Sequence, residues 1–204
     1  MPVAVRLGDL AIPIAAMTAV VAASNVAVQY PIWLFGLQDF LTWGALTYPI
    51  SFLVNDLTNR RFGPAAARRV VYVGFFLAVV LSIWLATPRI ALASGTAFLV
   101  GQLLDISVFN RLRRQTWWRA PLAASLLGSA FDTALFFSLA FAGVAAMSDP
   151  VTYFGLGLSV TLPLWGGLAV FDFLVKLAFA MVALLPYGAL MSVIRPFESV
   201  RAAQ

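Results

Sequence analysis

The sequence predicts an all-α integral membrane protein, a single domain over residues 1–204 built from six transmembrane helices. Of the 204 residues, 62% are hydrophobic and only 10% are charged. Mean hydropathy is +0.95. Apolar runs of roughly span length recur along the chain, separated by short segments in which arginine concentrates. So little charge does not suit the surface of a soluble domain of this length, so lipid is the solvent for most of it. A span needs about 20 apolar residues, which leaves no length for a separate soluble catalytic domain.

Residues 11–30 form the first span. Arg6 and the Ala22-Ala23-Ser24 run imitate a signal peptide and its cleavage site. A retained helix is favoured, because Thr18, Ala22, Asn25 and Gln29 make a polar stripe at helical spacing. Ala15, Ala19, Ala23 and Ala27 place small residues one turn apart, which permits close helix packing. Residues 31–41, with Trp33 and Asp39, read as an interfacial loop. The second span covers residues 42–59, interrupted by Pro49, and ends in Asn55, Asp56 and Asn59. A basic loop turns at Gly63-Pro64 into the third span, residues 70–87, which carries almost no polar side chain. Pro88 and Arg89 open a fourth span ending near Asn110. Pro121 opens a fifth reaching about Met147, since proline is tolerated in a first helical turn. Residues 148–163 read as a short loop, and residues 164–191 as the sixth span.

Arginine placement sets the orientation. With a cytoplasmic N-terminus, eleven of the thirteen basic residues lie inside: Arg6, Arg60, Arg61, Arg68, Arg69, Arg111, Arg113, Arg114, Arg119, Arg195 and Arg201. The other two, Arg89 and Lys176, fall at the opposite face and within a span. Every loop then satisfies the positive-inside rule, with both termini cytoplasmic. The net charge of +5 is accordingly topological, and no nucleic-acid partner is expected. The chain has no cysteine and no histidine, which excludes thiol nucleophiles, disulfides and thiolate or imidazole metal sites. No cofactor, metal site or enzymatic centre is expected.

Four of the eight acids, Asp56, Asp105, Asp132 and Asp172, lie inside expected spans, together with Lys176. Each costs about 2.5–3.5 kcal/mol at a helix centre on insertion scales, so such residues face a bundle interior or a wet cavity. Phe98, Gln102, Asp105 and Phe109 share one face of the fourth helix. Ser125, Ser129, Asp132 and Phe136 share one face of the fifth, and Trp165, Asp172, Lys176 and Tyr187 one face of the sixth. Aromatics alternating with polar groups suit a flat, hydrogen-bonding ligand better than a bare ion. Blander readings stand beside this one. Asp172 and Lys176, at i and i+4, can neutralise each other. Asp56 and Asp105 lie near arginines and can form interfacial salt bridges, and Trp117 and Trp118 suit a membrane belt. Depth separates the groups: Asp56, Asp105 and Asp132 lie toward the cytoplasmic half or the centre, and Asn25, Trp43 and Arg89 toward the other face. That argues for a central site with gates on either side, or for some residues that only brace helices.

Four blocks are distinctive: TWGALTYPISFLVNDLTNRRFG, RIALASGTAFLVGQLLDISVFNRLR, WWRAPLAASLLGSAFDTALFF and FDFLVKLAFAMVALLPYGAL. In this order they resemble the queuosine-precursor transporter family of bacterial inner membranes, also called the vitamin uptake transporter group. The resemblance spans residues 24–190. It implies a six-helix, multi-pass inner-membrane carrier, similar to vitamin-binding S-component folds, that imports deazaguanine precursors of a tRNA base. The chief substrate implied is 7-cyano-7-deazaguanine, with the aminomethyl form as a second. The family's recurring polar positions correspond to Asn25, Trp43, Asp56, Arg89, Gln102, Asp105, Asn110, Asp132 and Lys176. The chain departs from many members at Arg60, where they carry glutamate, and at Ser129, where they carry asparagine.

A guanine-like edge offers a ring N–H beside an amino group, which a carboxylate accepts as a two-point pair. The sequence-based assignment is that Asp105 or Asp132 reads this edge, Gln102, Asn25 or Lys176 serves the carbonyl, and Trp43 or a nearby phenylalanine stacks on the ring. Asp56, Arg89 and Asp172 are assigned to gating or coupling. Partners are the small-molecule deazaguanine and the bilayer, and a homo-oligomer is compatible. A stand-alone carrier, proton-coupled or facilitative, is the first reading. A substrate-binding subunit of an ATP-driven energy-coupling-factor importer is the alternative.

Overall fold

The computed structural model describes residues 7–155 and 158–194. Arg6, Arg195 and Arg201 lie outside the described residues. Among the described residues eight α-helices follow in order: α1 (Ala11–Ala27), α2 (Trp43–Thr47), α3 (Ile50–Phe62), α4 (Pro64–Leu85), α5 (Pro88–Leu112), α6 (Arg119–Phe141), α7 (Ala145–Ser148) and α8 (Leu164–Leu190). Strands β1 (Pro150–Gly155) and β2 (Leu158–Pro163) precede α8. Among the described residues five helices are long and apolar enough to cross a membrane: α1 with its preceding turn, α4, α5, α6 and α8. Their outward side chains are apolar as well, with Trp84 84% and Phe76 70% exposed on α4. An aqueous surface would not favour that concentration of bare aromatics.

The expected second span is divided at Tyr48-Pro49 into α2 and α3, and neither piece alone has the length of a crossing. Proline at the junction removes a backbone donor and starts a new helix. The turn from α3 to α4 is a single residue, Gly63, at φ 82, a conformation that a side chain disfavours. Thr87 caps α5, its Oγ1 accepting from the Ile90 N–H at 3.4 Å. Residues 148–163, expected to be a loop, fold instead into an antiparallel hairpin pairing Thr152 with Thr161 and Tyr153 with Val160.

Short turns make α3, α4, α5 and α6 run alternately up and down. The C-terminal ends of α3, α5 and α8 therefore meet on one face: Arg113 Nη2 donates to Asn59 Oδ1 at 2.7 Å, and Arg60 Nε to the Ile194 carbonyl at 3.3 Å. The two central arginine clusters share this basic face. Two apolar cores lie between the helices. One joins Met17 and Val21 of α1 to Val70 and Val71 of α4 and Phe98 and Ile106 of α5. The other joins Phe109, Ala120, Ala124 and Tyr187 from α5, α6 and α8.

Candidate functional site

The seam between α5 and α6 brings backbone against backbone. A Cβ on Gly101 would stand 3.0 Å from Asp132 Cβ and 3.1 Å from the Gly128 carbonyl. A Cβ on Gly128 would stand 3.0 Å from the Gly101 carbonyl and 3.2 Å from Asp105 Cβ. Glycine at both positions thus permits an approach that sets Asp105 and Asp132 into the protein interior, each one turn beyond a glycine. The polar faces expected on these helices are buried: Phe98, Gln102, Asp105 and Phe109 are at most 2% exposed. Ser125, Ser129 and Asp132 on α6 are buried too.

Asp132 belongs to a closed network. Lys176 Nζ lies 2.7 Å from Asp132 Oδ2, 2.6 Å from Asp172 Oδ2 and 3.0 Å from Thr133 Oγ1. An ammonium has three donors, and all three are used here. Tyr48 donates to Asp132 Oδ1 at 2.6 Å, and Thr133 to Asp172 Oδ2 at 2.6 Å. The Lys176 ammonium also lies 5.3 Å from the Tyr48 ring centroid, within cation–π range. Desolvating these charges costs several kcal/mol per ion, and the shared pairing with its hydrogen bonds offsets that cost.

Asp105 belongs to a second group, between α3 and α5. Asn55 Nδ2 donates to Asp105 Oδ1 at 2.8 Å and to the Gln102 carbonyl at 3.2 Å. Gln102 Nε2 donates to Ser51 Oγ at 2.8 Å. Asp56, on α3, accepts at Oδ2 from Ser125 Oγ of α6 at 3.3 Å. The hydrogen bonds that hold Asp56 and Asp105 thus come from Ser125 and Asn55. Four buried acceptors in this region have no hydrogen-bond partner among the described residues: Asp56 Oδ1, Asp105 Oδ2, Asn55 Oδ1 and Gln102 Oε1. The Lys176 network has its donors used up, whereas the α3–α5 region has acceptors to spare.

A narrow cleft lies between α3, α6 and α8. Asp56, Phe52, Ser125, Ser129, Lys176 and Tyr187 are among its walls, with Pro49 and Phe179. Its free volume is only about 10 Å³, roughly one water's worth, so a bicyclic ligand requires lining side chains to swing aside. Asp105, Gln102, Asp132 and Asp172 do not line it.

The remaining sequence-predicted residues lie elsewhere. Asn25 is tied within α1 to the Val21 carbonyl at 2.9 Å and accepts from Ser82 Oγ of α4 at 3.1 Å. Trp43 is 44% exposed. Arg89 is exposed and donates to the Leu139 carbonyl at 2.8 Å and the Ala142 carbonyl at 2.6 Å, at the C-terminal end of α6. Those carbonyls lack intrahelical partners, and a cation there also meets the negative end of the helix dipole. Tyr48, Thr133 and Ser51 were not singled out from the sequence. Tyr48 beside the Pro49 break, and Thr133 beside Asp132, were the signals available.

The family model described as "Putative vitamin uptake transporter" matches residues 42–87 and 81–191. A Haemophilus influenzae protein named "Probable queuosine precursor transporter" is 37% identical over 86% of this chain and 83% of its own length. The Escherichia coli "Queuosine precursor transporter" is 34% identical over the same shares. A Bacillus subtilis "Probable queuosine precursor transporter" is 29% identical over 59% of this chain and 64% of its own. No solved structure matches the chain. With five apolar helices and bacterial relatives of this similarity, the protein is a multi-pass protein of the bacterial inner membrane. The chain belongs to the vitamin uptake transporter family, whose relatives in three bacteria carry the name queuosine precursor transporter.

Proposed function

We propose that this protein imports queuosine precursors, chiefly 7-cyano-7-deazaguanine and secondarily its aminomethyl form, as a stand-alone secondary carrier. The broken pair α2–α3 serves as one of six crossings, and the basic face carrying the arginine clusters is cytoplasmic. The observation that carries the reading is the cleft between α3, α6 and α8, where a buried carboxylate, two serines and three aromatic side chains meet. A deazaguanine presents a ring N–H, an amino group and a pyrrole-type N–H, so an acceptor-rich, aromatic-lined wall suits it. Aromatic stacking adds about 1–3 kcal/mol per base in nucleic-acid sites, and the same physics applies here.

The test is uptake of labelled 7-cyano-7-deazaguanine into liposomes containing only the purified chain, without ATP. Accumulation or equilibration above protein-free vesicles is expected. One observation favours a second reading: Ala15, Ala19 and Ala23 are exposed on α1, a face on which a partner helix could pack closely. Binding without uptake in the liposomes, restored by an ATP-driven partner, would make the chain a substrate-binding subunit instead.

A further inference from the structure

We propose that Asp56 is the specificity-determining carboxylate of the cleft, accepting the ring N–H and the exocyclic amino group of a 2-amino-4-oxo-pyrimidine edge. This rests on the transport reading above and names the residue and the chemical edge it selects. The four embedded acids differ in what they have left to offer. Asp132 has one oxygen on Tyr48 and the other on Lys176. Asp172 holds Lys176 and Thr133 through one oxygen and stands outside the cleft. Asp105 is fully buried behind the α5–α6 seam, bonded to Asn55, and does not reach the cleft wall. Asp56 alone among them lines the cleft. It is 2% exposed, its Oδ1 has no partner among the described residues, and its Oδ2 accepts one long bond from Ser125.

A carboxylate in that condition has lone pairs free on both oxygens, which is what two parallel N–H donors require. Phe52, one turn before Asp56 on α3, and Phe179 and Tyr187 on α8 line the same cleft and supply aromatic wall for the ring. Ser129 on α6 lines it too, and its hydroxyl is a donor for the carbonyl. Lys176 is the other charged wall. Its three donors are already used, so it has none free for the ligand in this state. Selection of a guanine-like over a hypoxanthine-like base therefore falls to Asp56.

The experiment is equilibrium competition binding on the full chain in detergent. The probes are 7-cyano-7-deazaguanine and the same bicycle lacking the 2-amino group. Sites built to hydrogen-bond a ligand group reject the analogue without it strongly, so the intact protein should prefer the amino compound by about 100-fold or more. In Asp56→Asn the preference should fall below about tenfold, because the amide presents one acceptor and a clashing N–H₂. The analogue's own affinity should change little. A residue that merely braces α3 against α6 would weaken both ligands alike and leave the ratio intact, and that result overturns the proposal. Asp56→Glu keeps the charge but shifts it by a methylene. It serves if the asparagine variant does not fold, and an unchanged ratio there likewise overturns the proposal. Asp105→Asn should keep the native ratio, and its loss there would transfer the role to Asp105. An intact protein that binds neither probe overturns the transport reading itself, which is a distinct outcome.

Discussion

Lys176 of α8 and Asp132 of α6 lie 44 residues apart in the chain and meet at 2.7 Å, both 5% exposed at the side chain. Asp172 completes the arrangement from one turn before the lysine. Removing the cation would leave the buried Asp132 and the partly buried Asp172 facing each other across a low-dielectric seam. We expect Lys176→Met to destabilise the protein by about 3–5 kcal/mol, the range for stranding one side of a buried pair. Adding Asp132→Asn and Asp172→Asn should recover much of that loss, since the stranded charges are then gone. Thermal unfolding in detergent checks both, and additive losses across the three substitutions would refute the pairing.

Gly128 offers a test of the seam that holds both acid groups in place. A methyl there would stand 2.8 Å from Phe52 Cε1 and 3.0 Å from the Gly101 carbonyl. Phe52 can swing, but backbone cannot retreat without separating α5 from α6. We expect Gly128→Ala to cost about 1–3 kcal/mol by overpacking. Because Phe52 also lines the cleft, precursor affinity should fall as well. Full stability with native affinity would show that the helices are not in such close contact.

How far the sequence anticipated this arrangement depended on the range of each interaction. The polar stripe of α5 was legible because burial follows helical period, and Gln102 and Asp105 are indeed both fully buried. The Asp172–Lys176 pair was legible at i and i+4. Asp132 meeting the same lysine was not, since nothing local links α6 to α8. The sequence assignment favoured Asp105 and Asp132 over Asp56 as readers of the base edge. Only the helix packing separates Asp132, with both oxygens bonded, from Asp56, which lines the cleft with one oxygen unpartnered among the described residues. Tyr48 is not legible in the sequence, because a lone tyrosine beside a proline carries no periodic signal. The hairpin replaces the expected loop, and Val151, Thr152 and Tyr153, with Val160 and Thr161, are the strand-favouring residues that carry its signal.

Arg89 was expected to act in gating or coupling, and its position argues for a bracing role at the end of α6. Its two bonds go to the Leu139 and Ala142 carbonyls, not to another side chain. We expect Arg89→Ala to lower stability by about 1 kcal/mol, as for loss of a cation at a helix C-terminus, and to leave ligand discrimination unchanged. Arg89→Lys should recover part of the stability but not the two-carbonyl geometry. A variant with native stability and abolished uptake would instead support the gating assignment.

Tyr153 of β1 tests how the hairpin is held on the face opposite the arginine clusters. Its ring packs at 6.3 Å from Phe171, which in turn lies 4.8 Å from Phe40, so hairpin, α8 and the 31–41 loop converge. Its hydroxyl is buried without a hydrogen-bond partner among the described residues, a condition that costs about 1–3 kcal/mol. Tyr153→Phe should therefore be neutral or stabilising by about 1 kcal/mol, because the ring remains and the stranded hydroxyl goes. The seat itself is Gly167: a Cβ there would overlap the Tyr153 ring and hydroxyl. Gly167→Ala should then displace Tyr153 and raise proteolytic cleavage within residues 150–163. Pairing it with Tyr153→Ala should cost less than the sum of the two single losses, since the methyl no longer meets a ring. Strict additivity in that cycle, read by thermal unfolding and by cleavage rate, would show that the hairpin does not rest on α8 through this contact.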